Sequence, residues 1–95
     1  MLSAFAGTRT SPKLHPESLA RFEAITSYCG GIQPDANERF QLRLARMVSG
    51  HSPDELRDDR NTSAYQAAKR EANETLARTS HGTAVRACSE FLAAK

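Results

Sequence analysis

Cys29 and Cys88 are the residues of this chain best suited to chemistry, and they admit three kinds: a nucleophilic thiolate, a metal ligand or a disulfide. A nucleophilic thiolate needs its pKa lowered by a helix N-terminus or a nearby cation. Cys29 falls at the C-terminal end of a helical pattern, where the partial negative charge opposes a thiolate, and Cys88 falls mid-helix on an apolar face. Structural zinc uses ligands paired two to four residues apart. Cys29, Cys88, His51 and His81 contain no such pair, and His15, His51 and His81 all stand at expected helix boundaries, where capping or exposure to water explains them. The expectation is therefore a Cys29–Cys88 disulfide, with no metal and no cofactor. Two cysteines and no leftover thiol in a short chain fit an oxidising compartment, periplasmic or secreted.

General acid–base chemistry needs carboxylates driven apart in pKa, or a His beside a nucleophile, inside a cleft. The acidic residues here alternate with basic ones, as in Arg57, Asp58, Asp59, Arg60 and Lys69, Arg70, Glu71, which is the pattern of a solvated helix surface. No catalytic residues are expected, and the chain reads as a non-enzyme. The stretch from Phe40 through Tyr65 imitates a helix-turn-helix, with Ser49, Gly50 and His51 as a short turn. Its second helix opens with Asp54, Glu55, Asp58 and Asp59, which would repel phosphate, so nucleic-acid binding ranks below protein binding.

Charge and composition agree. The net charge is only +2, from 13 Lys and Arg against 11 Asp and Glu, and the basic residues form no run. Apolar residues make up 39% of the chain, enough for a packed fold. No apolar stretch approaches the ~20 residues of a membrane span. With 95 residues the chain fits one domain with a modest core, in which a covalent staple matters.

The elements that must position these residues follow helical spacing. Residues 1–14 read as a flexible arm, in which Ala4 and Ala6 before Gly7 resemble the end of a secretory signal; residues 15–95 form the domain. A first helix starts near Pro16, carries Leu19, Phe22, Ile25 and Cys29 on one face, and stops at Gly30 and Gly31. A second opens at Pro34 and Asp35, carries Phe40, Leu44, Met47 and Val48 as its apolar stripe with Arg39, Arg43 and Arg46 on another face, and ends at Gly50. Ser52, Pro53 and Glu55 form a capping box that starts a third. Asn61, Thr62 and Ser63 could bend or restart it, so residues 52–79 form one helix or two. Ala68, Ala72 and Leu76 keep an apolar face, Gly82 breaks the run, and Thr83 caps a last helix bearing Val85, Cys88, Phe91 and Leu92. With no alternating strand pattern, the fold class is all-α, a small four- or five-helix bundle with one disulfide.

A chain of this size is too small to enclose a substrate, so its expected role is to present a face to another protein. The first reading is an inhibitor or immunity protein for a cell-envelope enzyme; the alternative is a periplasmic stress chaperone, and a helix-turn-helix nucleic-acid binder comes third. Candidate partner-binding residues are Asp35, Leu42, Asp54, Glu55, Asp58 and Asp59. Leu42 lies off the apolar stripe of its helix, which marks it as an interface residue if exposed. No particular oligomeric state is implied.

Overall fold

The computed structural model describes residues 14–93, so the expected signal-like segment and all but the last residue of the arm lie outside them. Five α-helices follow in order: α1 (Pro16–Ile32), α2 (Asn37–Val48), α3 (Pro53–Arg60), α4 (Ser63–Ala77) and α5 (His81–Ala93), with a 3-10 turn over Pro34–Ala36 between α1 and α2. No strand occurs among the described residues. The fold is all-α, as the spacing predicts, with five helices among the described residues.

Local chemistry sets most of the boundaries. Pro16 occupies the first turn of α1, where its missing N–H costs nothing. The glycines do not stop this helix, contrary to expectation; it runs on to Ile32 and ends where Gln33 leaves the helical region, φ -124° and ψ 74°, ahead of Pro34, a residue that disfavours helix at its predecessor. Gly30 has a packing role instead. A Cβ there would stand 2.1 Å from Asn37 Oδ1, so the glycine lets the start of α2 close onto α1. Gly50 is the one described residue with a positive φ, 89°, and it turns the chain out of α2.

The capping box is present in both directions: Glu55 N–H donates to Ser52 Oγ at 3.1 Å and Ser52 N–H donates to Glu55 Oε1 at 2.8 Å. Residues 52–79 form two helices. Thr62 is the hinge, its hydroxyl donating to the Asp59 carbonyl at 2.8 Å and accepting from the Tyr65 N–H at 3.1 Å, so one side chain closes α3 and caps α4. The last helix starts earlier than expected, at His81. Ser80, not Thr83, sits at its cap, and Gly82 lies inside the first turn with open space where a Cβ would be.

The helices form two layers: the shortest principal dimension is 21 Å, about two helix diameters. α1 is the centre, with its most extensive packing against α4 and then against α2. At its first half, Leu19 and Ala20 meet Tyr65 and Ala68 of α4, with Leu14, Val48 and Leu56 alongside. At its second half, Cys29 meets Phe40 and Cys88, surrounded by Ile25, Tyr28, Phe91 and Leu92. Leu14, the last residue of the expected arm, thus packs on the domain.

The Cys29–Cys88 disulfide is formed, with Cα atoms 5.6 Å apart across 59 residues of sequence. Both cysteines are buried. In α5 only Ala84 and Cys88 are fully buried, so the bond and the ring of Phe91 are what seat this helix. Closing a loop of that length restricts the unfolded chain by about 4 kcal/mol. The Cys29→Ala/Cys88→Ala protein should accordingly lose about 4 kcal/mol in urea unfolding and at least ~15 °C in thermal midpoint; a loss under about 1 kcal/mol would mean that α5 is held by its apolar contacts alone.

Candidate functional site

The described carboxylate with a shifted pKa is Glu23, on α1. Its side chain is 13% exposed and meets three groups from two other helices. Arg60, at the end of α3, donates to Oε2 through Nε at 2.9 Å and through Nη2 at 2.5 Å. The Tyr65 hydroxyl of α4 donates to Oε1, and Lys69 Nζ stands 4.0 Å from the same oxygen. Burial favours the neutral acid, but the hydrogen bonds from Arg60 and Tyr65 and the charges of Arg60 and Lys69 outweigh it and hold the carboxyl below its ordinary value. The group is a tie between three helices, with both oxygens satisfied. Sequence reading misses it because its partners lie 37 and 42 residues away.

The six expected partner-binding residues do not converge. Asp35 is exposed in the 3-10 turn at one end of α1, while the acidic group sits on α3 at the other. Asp54 is paired with Arg57 at 2.7 Å, and the Glu55 side chain is spent on the capping box. Asp58 and Asp59 join Glu55, Leu14 and His51 around a shallow hollow of about 200 Å³. Leu42 stands apart from all of these. It is 58% exposed, the exposed large hydrophobic residue of the described chain.

What surrounds Leu42 is basic. A hollow of about 220 Å³ beside it is lined by Arg39, Arg43, Arg46 and Leu92. Helical spacing explains the grouping: residues three and four apart share a face, and α2 repeats arginine at that interval. Arg43 is fixed by α5, its guanidinium lying 5.0 Å above the Phe91 ring, while its buried Nε has no hydrogen-bond partner. Phe91 in turn is clasped by Phe22 of α1 edge-on at 5.0 Å and by Phe40 of α2 at 6.2 Å. Among the described residues none of Arg39, Arg43 and Arg46 has a carboxylate within 4.0 Å.

This basic face continues onto α1. Arg43, Arg46, Met47 and Phe22 line the next hollow, and Phe22, Met47 and Phe91 line one beyond it of about 380 Å³, together with Arg21 and Ile25. A further hollow, about 420 Å³, lies across Arg21 and Ile25 against Ala72 and Leu76 of α4 and Arg78 just past its end. The expected stripe of α1 therefore divides: Leu19 and Cys29 are buried, whereas Phe22 and Ile25 are half-buried beside open hollows. Both cysteine sulfurs are engaged with each other, and no group of three His, Cys, Asp or Glu among the described residues is placed to hold a metal ion.

Glu23→Gln leaves one acceptor oxygen for either Arg60 or Tyr65, turns an amide NH2 toward the other and removes the charge, so it should cost about 1–2 kcal/mol at pH 7, toward the lower end because Arg60 is half exposed. A carboxyl whose folded pKa is depressed stabilises above its unfolded pKa, about 4.3, and that contribution disappears as pH falls through the folded value. Urea titrations of the two proteins should differ from pH 5 to 7 and converge as acid protonates Glu23 in the folded state; parallel curves would show that the charge of Glu23 contributes nothing.

No protein-family model matches the chain, and comparison with curated proteins and with solved structures likewise returns no match.

Proposed function

We propose that the protein is a non-enzymatic binding module that docks onto another protein through the face of α2, and that it acts as an inhibitor or immunity protein for a cell-envelope enzyme. The observation that carries this reading is Leu42, 58% exposed in the middle of three arginines that have no carboxylate partner among the described residues. A large apolar side chain in water costs free energy unless something covers it. Arginine is the charged residue that interfaces favour, since its planar fork pairs carboxylates two bonds at a time and loses less to desolvation than lysine. The partner surface is accordingly acidic around an apolar pocket. Export is compatible with the disulfide and with the lack, among the described residues, of a helix long and apolar enough to cross a membrane.

A second reading, a stress chaperone of the envelope, draws on Glu23. Protonating that carboxylate would loosen the tie of α1 to α3 and α4 and open the first half of the core to other chains.

The two readings separate in one experiment. Oxidised protein used as bait in an envelope extract at neutral pH should retain a single hydrolase and depress its activity. Leu42→Glu should lower that retention at least about tenfold while leaving folding stability within about 0.5 kcal/mol, because the side chain is outside the core. Capture of many proteins only near pH 3, insensitive to Leu42→Glu, would overturn the inhibitor reading in favour of the chaperone.

A further inference from the structure

The outer side of α1 is where the bundle is incomplete. Ser18, Arg21, Phe22 and Ile25 recur at helical spacing and cover two turns, about 10 Å. Ala72, Thr75 and Leu76 of α4 rise on one flank of this strip, and Met47 of α2 with Phe91 of α5 on the other. The two hollows so formed, about 420 and 380 Å³, meet at Arg21 and Ile25. A trough over one helix, walled by its neighbours, is the seat that another helix takes in a bundle.

We propose that this trough receives one amphipathic helix of a partner protein, its apolar stripe flanked by Asp and Glu; the proposal rests on the reading of the protein as a binding module and identifies the shape and charge of what it binds. A helix, not a strand, fits because the walls are helices whose backbone groups are already paired, leaving no edge to add a strand to. Its acidity follows from the rim. Arg21 and Arg78 border the larger hollow and Arg43 and Arg46 border the hollow that adjoins the other, none with a carboxylate within 4.0 Å among the described residues, whereas Glu71 is the one acidic residue in the lining. The apolar floor excludes a purely ionic ligand. A second copy of this chain does not supply the helix: its acidic helix α3 bears a single large apolar residue, Leu56, and that side chain already packs on the core.

The probe is a synthetic ~18-residue peptide, long enough to form helix on docking, with leucines at three- and four-residue spacing and glutamates beside them. It is titrated into isotope-labelled, oxidised full-length protein next to a peptide with lysine for every glutamate and next to phosphatidylglycerol vesicles. The glutamate peptide should shift the amides of residues 18–25 and 72–76 and bind at least about tenfold tighter than the lysine peptide. Arg21→Glu/Arg78→Glu should abolish that preference. Thr75→Trp, which fills the trough from an exposed position, should block the peptide with the fold intact. Equal binding of both peptides, shifts confined to Leu42 and Leu92, no shift at about 1 mM peptide, or binding of vesicles in place of peptide would each overturn the proposal. A natural partner lost with Leu42→Glu but retained by Thr75→Trp would sink the trough and leave the binding module standing; binding of the peptide with no protein captured from the extract would do the reverse.

Discussion

The position of α5 depends on the bond between Cys29 and Cys88. The fully buried residues of this helix are Cys88 and Ala84, with Phe91 and Leu92 packed beside them, so the disulfide acts where apolar contact is modest. Once the bond places α5 against the second half of α1, Phe91 falls between Phe22 and Phe40, and its ring becomes the platform for the Arg43 guanidinium. The same ring forms one wall of the trough over α1. The covalent bond, the aromatic cluster, the basic face of α2 and the trough are therefore linked in one sequence of contacts.

A second consequence follows from size. Five short helices arranged two layers deep cannot surround a central helix, so α1 is covered where α4 and α2 lie and left bare between them. In a larger domain a further helix would fill that place. Here the core divides into two small clusters at the two ends of α1, one held by the disulfide and one by the tie from Glu23 to Arg60 and Tyr65. The polar tie acts where the apolar contact is thinnest: α3 buries no residue fully and reaches the domain through half-buried Leu56 and exposed Arg60.

What could be read from the sequence was what depends on near neighbours. The capping box from Ser52 to Glu55 is legible because four consecutive residues contain both hydrogen bonds, and the disulfide is legible because two cysteines have only one way to pair. Gly30 misleads for the opposite reason: its cost to the helix is local and visible, while its benefit, room for Asn37, exists only after α2 has folded back. The same holds for the stripe of α1. Leu19, Phe22, Ile25 and Cys29 share helical spacing, yet which of them is buried depends on where α4 and α5 come to rest. Asp54 and Glu55 looked available to a partner from their charge alone, and the structure engages one with Arg57 and the other with the cap.

The near-neutral total of +2 conceals how the charges are distributed. A partner within about 10 Å responds to the local field, since salt screens anything farther away. Around Glu23 the carboxylate meets Arg60 and Lys69, and on α3 Asp54 meets Arg57, so those fields largely cancel, whereas Glu55, Asp58 and Asp59 leave α3 acidic. Along α2 and the rim of the trough the arginines stand without such partners, so the field there is positive over an apolar floor. A partner docking there, as proposed, would gain affinity from apolar contact and selectivity from the unpaired guanidiniums, which repel any surface that does not bring carboxylates to the matching positions.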